Sequence, residues 1–483
     1  MGRPLNSFVA VALAACSSSD AGSDAGAPAS STSADAGGGS DGDAGSDATI
    51  APLADGAVAA ADAPSPIADA TSDAPPTPTP DAGANLPAIN PSPCGGKVHC
   101  VRPGDDLQAA INASASGDVV QVAEGTFTGN FVVSAKSLLL AGGFDTTFAT
   151  RDPSTRETRL DAGGSGSVVT LRASGLTVRV DGFTITGGTG DASNLHSGAG
   201  VNVGLGTITV SFNRIVNNVV AAANIDATGT RGGGVLANGD AASVVSIVAN
   251  DIENNVSGRG AGVGSSEVGT LLVEANVIKN NRGYSDHGGG VFINSPNATV
   301  RGNWIEGNEI GPTTNPYGYG GGVYIHQAGT VAHLSYNTYT KNKAPTTGSG
   351  FFVDNAATAT LDHELFYGNA CNAQSAAAIL VDSTDGANPI GSILTVTYTT
   401  VADHPCKSED DGNGITVSGL GSTATVSRSI FFNNGPNQFA SSDDGTPPVV
   451  TDSFTTADPM FVDAANGDYH LKPGSPAAGY GRY

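Results

Sequence analysis

The chain has 483 residues, of which 67 are Gly, about twice the usual share. Lys and Arg total 21 against 45 Asp and Glu, and the formal net charge of −24 excludes a nucleic-acid binder that works through a basic face. One Trp, two Met and 14% charged residues argue against a helical bundle, and no long apolar run beyond the first twenty positions provides a membrane-spanning helix.

The first element is an address. Arg3 is the only charge in Met1 to Asn6, and a short apolar stretch, Ser7 to Ala15, leads into Leu13-Ala14-Ala15-Cys16. A charged start, a short apolar core and a small-residue exit mark an export signal. The tetrapeptide resembles the lipobox of bacterial lipoproteins, which implies cleavage before Cys16 and acylation of its thiol. Residues 1–16 are therefore expected to be a lipoprotein signal.

Residues 17–93 hold no Lys, Arg, Glu, His or aromatic residue, and eleven Asp supply much of the net negative charge. Such a stretch buries too little apolar surface to offset its ordering entropy, and self-repulsion with a Pro-rich end extends it. It reads as a disordered stalk. Of the five cysteines, Cys16 is the odd one; the others form two local pairs, Cys94/Cys100 and Cys371/Cys406, without metal-ligand spacing. In an oxidising compartment these read as disulfides.

Residues 94–483 form the folded domain. Val101 to Asn112 places Asp at an N-cap position before apolar residues at helical spacing, and Gly117 to Thr126 follows as a strand. Two markers then recur in one phase. Asn-x-Ile-x-x-Asn appears at Asn213–Asn218, Asn250–Asn255, Asn276–Asn281 and Asn303–Asn308, with weaker copies ending at Asn342, Asn369 and Asn434. A small-residue turn opens a strand at Val201, Val235, Val263, Val291, Val323 and Phe351, at spacings of 34, 28, 28, 32 and 28. Within each unit lie three short β-runs, for example Val291–Asn294, Ala298–Arg301 and Trp304–Glu306. Three strands per repeat, each too short for a sandwich, describe a coil whose rungs stack at ~4.8 Å. Asn at each bend tolerates left-handed backbone and can bond its stacked equivalents.

These repeats resemble right-handed parallel β-helix proteins of the pectin-lyase-like fold, and in detail those of polymorphic outer-membrane proteins. The expected class is all-β, a right-handed parallel β-helix with an N-terminal capping helix. The resemblance runs from Cys94 to Tyr483. It includes the segment Gly142 to Asp161 and a closing segment at Asp458–Asp463, Asp468–Leu471 and Gly474–Ala477.

Alternation after each turn assigns faces. With Val201, Val235, Val263, Val291, Val323, Phe351 and Ile379 inward, the next residues form an outward column containing Phe292, Tyr324 and Phe352. A second outward column holds Asn238, Ser266, Asn294, His326, Asp354 and Asp382. Rings beside amides and carboxylates suit a glycan groove; packing of the rings beneath covering loops is the competing reading. Arg231, Arg259, Arg282, Tyr284, Tyr317 and Tyr319 lie in loops that rim these strands.

The resemblance implies that this face carries substrate, that related lyases hold Ca²⁺ with clustered Asp, and that related hydrolases use paired Asp. Asp354, Asp382 and His326 are the catalytic candidates on that reading, and Asp354 with Asp382 the candidate Ca²⁺ ligands. Yet the motifs Asn-Thr-Asp, Gly-His-Gly and Trp-Ile-Asp-His are all missing. The expectation is a monomeric bacterial surface lipoprotein, on the outer membrane through its lipid alone, that binds a polysaccharide or cell-surface glycan through Phe292, Tyr324, Phe352, Asn294, Asn238, Arg282, Tyr284, Tyr317 and Tyr319. No other metal, cofactor or nucleic acid is expected. A polysaccharide lyase or hydrolase and a ligand-free spacer are the alternatives.

Overall fold

The computed structural model describes residues 86–221, 229–284, 287–311, 318–370, 378–384, 389–404 and 413–483. Three long parallel sheets, of 13, 11 and 11 strands, run the length of this region. Consecutive strands go to different sheets, and each pairs with its equivalent one repeat away, as Val291–Ile293 pairs with Val323–Ile325 and then with Phe351–Val353. The fold is a right-handed parallel β-helix. The three runs read from one repeat are strands Val291–Ile293, Ala298–Arg301 and Trp304–Glu306, one in each sheet.

The inward column is as the alternation assigns it. Val201, Val235, Val263, Val291, Val323, Phe351 and Ile379 lie in one continuous core. β-branched side chains recur there because they pack well on stacked, pleated strands, and Tyr339 stacks on Phe366 at 4.1 Å where rings replace Ile.

Two ladders of buried amides close the bends. Asn213, Asn250, Asn276, Asn303 and Asn337 form one; Asn218, Asn255, Asn281, Asn308, Asn342 and Asn369 form the other. Each Nδ2 donates to a backbone carbonyl of the preceding rung and, where another Asn follows in the ladder, to its Oδ1, as Asn281 does to Ile252 (2.8 Å) and Asn308 (3.0 Å); Asn337 instead donates to Glu364 Oε1. Stacking of equivalents is thus as expected, but the left-handed residue is the one before. Phe212, Asn217, Ala249, Asn254, Ala275 and Asn280 carry φ between 53° and 56°. That residue makes the corner, which turns the following Asn inward to its ladder. Gly290 has a different reason to be Gly: a Cβ there would lie 2.6 Å from the carbonyl oxygen of Gly322 in the next rung.

The ends are closed differently. Helix Leu107–Ala113 starts at Asp106, whose carboxylate accepts the Ala109 N–H at 2.9 Å, and it sinks Leu107 and Ile111 into the end of the core. A strand that the motifs did not reveal, Val98–Val101, precedes it, and the Cys94–Cys100 disulfide ties that strand to its lead-in. At the C-terminus, Phe461–Asp463 and Asp468–Leu471 form an antiparallel hairpin. Phe461, Tyr469 and Ala477 pack it against Leu365, Ala402 and Ile430 on the outside of one sheet. Cys16, Cys371 and Cys406, with the signal and most of the stalk, lie outside the described residues.

Candidate functional site

The two outward columns occupy one sheet, in the expected order. Register pairs Phe292 with Tyr324, Tyr324 with Phe352 and Phe352 with Leu380. Their exposure departs from a stacking face. Phe292, Tyr324 and Phe352 are 0%, 1% and 2% exposed and form a second, smaller core with Leu380. The rim loops close over them: the guanidiniums of Arg231 and Arg259 lie 5.3 and 5.9 Å from the Phe292 ring centre. His287 meets Tyr324 at 4.5 Å, and Tyr319 meets Phe352 at 5.1 Å. Alternation tells which side of a sheet a residue takes and is blind to what later folds over that side. The rings are structural, with no open face for a sugar.

The remaining candidates separate. Arg282 lies over the ring of Tyr284 at 4.9 Å, so these two engage one another. Asn294 donates to Gln327 Oε1 at 2.8 Å. Tyr317 lies outside the described residues. Asp354 and Asp382 follow strands paired in register, yet Asp382 turns to accept the Ser383 amide at 2.8 Å while Asp354 binds elsewhere. Asp354 accepts the Tyr324 hydroxyl on Oδ2 at 2.5 Å, and its Oδ1 is 2.8 Å from His326 Nδ1. His287, in the loop before strand Val291–Ile293, sits against this pair, its ring 5.4 Å from that of His326. No spacing rule could find it, because 39 residues and a change of rung separate the two.

Asn238 lies in a different place, the open end of the same sheet. Two contiguous clefts of about 330 and 480 Å³ meet at Arg172. Asn130, Thr170, Asp191, Asn202 and Asn238 line them, and Arg172 pairs with Asp191 at 3.0 Å, its side chain more than half exposed. Here the first outward column is Val132, Thr170 and Asn202 rather than aromatic; Val132 is exposed, whereas Asn202 is buried and reaches Asp191 Oδ2 at 3.5 Å.

Further titratable clusters escaped the sequence reading. At the wall of a cavity of about 700 Å³, burial and then the neighbouring Glu253 raise Asp251 above the usual carboxylate range. Glu253, despite its burial, is held low by its bonds to Asp251 and Lys279. Tyr336, His363 and Tyr398 form an outer aromatic column, stacked at 4.9 and 4.8 Å, whose ring faces cover one another.

Compared with known protein families, with curated proteins and with solved structures, the chain matches none of them. No helix among the described residues is long and apolar enough to cross a membrane.

Proposed function

We propose that this chain is an exported lipoprotein of pectin-lyase-like type whose β-helix binds a polysaccharide in the polar groove centred on Arg172. The observation that carries this reading is the set of polar side chains lining the two clefts over four consecutive rungs: Asn130, Thr170 with Arg172, and Asn238, with Asn202 at the third rung buried against Asp191. At ~4.8 Å per rung the set extends about 14 Å, long enough for an oligosaccharide rather than a single sugar. Amides and an Arg–Asp pair match the donor and acceptor pattern of sugar hydroxyls. The net charge of −24 favours a neutral glycan over a polyanionic one.

Placement at the cell surface rests on Leu13-Ala14-Ala15-Cys16 and the acidic stalk that follows it. Replacing Cys16 by Ser is expected to move the protein from the membrane to the soluble fraction. A glycan array probed with the protein, and repeated with Arg172→Ala and Asn238→Ala, tests the groove. Binding to a neutral oligosaccharide that both substitutions weaken is the expected result. Binding indifferent to both substitutions would refute this groove as the binding surface, and release of reducing ends from a bound glycan would replace the binding module with the hydrolase alternative.

A further inference from the structure

We propose that His287, His326 and Asp354 form a binding site for a first-row transition-metal ion such as Zn²⁺. The three side chains come from three adjoining rungs and converge so that one donor atom of each lies within 4.8 Å of the others. His326 and Asp354 directly follow the paired strands Val323–Ile325 and Phe351–Val353, and the backbone of His287 is itself bridged to Tyr319. None of the three depends on a free chain end or an isolated loop tip for its position.

The donor chemistry selects the ion. Two imidazoles and one carboxylate suit Zn²⁺, Fe²⁺ or Co²⁺, whereas Ca²⁺ requires a shell of oxygens. Asp382, the second carboxylate expected from the sequence, is not among the converging donors. Ligands at 2.0–2.1 Å from a tetrahedral ion stand about 3.3 Å apart, so the widest donor pair must close by an ångström or so, while the His326 Nδ1–Asp354 Oδ1 hydrogen bond at 2.8 Å gives way to the ion.

The surroundings are built like an outer ligand shell. The Tyr324 hydroxyl donates to Asp354 Oδ2 and fixes that carboxylate, and Tyr324 is itself immobilised between Phe292 and Phe352. His287 rests edge-on against Tyr324 and against His326. Such hydrogen-bonded and packed partners orient ligands in metal sites. His326 and Asp354 are 17% and 16% exposed, enough for an ion to enter and keep a water in the fourth position. This site lies rungs away from the Arg172 groove and does not rest on glycan binding.

Titration of the full-length, EDTA-treated protein with Zn²⁺, and with Co²⁺ for its visible absorption, tests the assignment. One ion per chain is expected, with intense d–d bands for Co²⁺ in a low-symmetry four-coordinate site and no competition from Ca²⁺. His287→Gln, His326→Gln and Asp354→Asn should each weaken affinity by at least about 10-fold. Should a variant fail to fold, the wild-type protein still decides: Zn²⁺ must raise its melting temperature, since an ion bound only to the folded state stabilises it. Absence of both binding and a thermal shift overturns the proposal. So does stoichiometric binding that persists in a folded His287→Gln/His326→Gln double variant.

Discussion

Asn281→Ala removes the middle of one amide ladder, and its cost can be worked from the bonds. Asn281 Nδ2 donates to the Ile252 carbonyl at 2.8 Å and to Asn308 Oδ1 at 3.0 Å. Its Oδ1 accepts both the backbone N–H and the Nδ2–H of Asn255, each at 3.0 Å. Ala supplies none of these, and all the groups concerned are buried. Asn255 Nδ2 keeps its bond to Ile215, but the Asn255 amide N–H and one side-chain N–H lose their acceptor. Two buried donors left without partners, at about 1–3 kcal/mol each, predict a loss of roughly 2–6 kcal/mol. Guanidinium denaturation should show that loss as a lower midpoint, with faster hydrogen exchange at the Asn255 amide. Asn297→Ala, at an exposed bend outside both ladders, should stay within about 0.5 kcal/mol. Equal effects of the two substitutions would show that the ladder contributes nothing beyond its space.

Three further outcomes follow from burial. Tyr324→Ala should destabilise at least as much as Val323→Ala, by about 3–5 kcal/mol, because the outward ring is as enclosed as the inward valine; thermal melts that leave Tyr324→Ala unchanged would reopen that face. Glu364 takes an Asn position in the first ladder, accepting from Asn337, and its complete burial raises its pKa well above the ordinary 4.5. The folded chain therefore retains a proton that the unfolded chain releases, so stability should fall as pH rises above about 4.5. Glu364→Gln should flatten that slope in denaturation measured across pH. His404 continues the second ladder, and burial lowers its pKa to about 4. Below about 6.5 the unfolded state gains a proton that the folded state refuses, so stability should drop as pH falls from there toward 4, and His404→Asn should remove the drop.

How much of this was legible from the chain varies by element. The repeat of Asn-x-Ile-x-x-Asn states the ladders and the core column directly, because a side chain pointing into a stack must match its neighbour above and below. The Gly-x-Gly-Val turns state where strands begin, since backbones of adjacent rungs approach too closely for a Cβ at Gly290. Helix Leu107–Ala113 announces itself through Asp106 and its apolar spacing. These are local or periodic constraints, written one residue at a time.

Coverage, exposure and convergence are of another kind. Strand alternation sends Phe292, Tyr324 and Phe352 outward, and only the folded loops carrying Arg231, Arg259, His287 and Tyr319 decide that outward is still inside. The C-terminal motifs mark a closing segment, while its docking on Leu365, Ala402 and Ile430 depends on which outer surface the coil leaves apolar. His287, His326 and Asp354 carry no shared motif. They meet because stacking converts separations of 39 and 28 residues into neighbouring rungs, and loop length then sets where each side chain lands. Periodicity in a sequence determines the address of a residue in the stack; the loops between periods, whose paths follow from packing rather than pattern, determine what that residue faces.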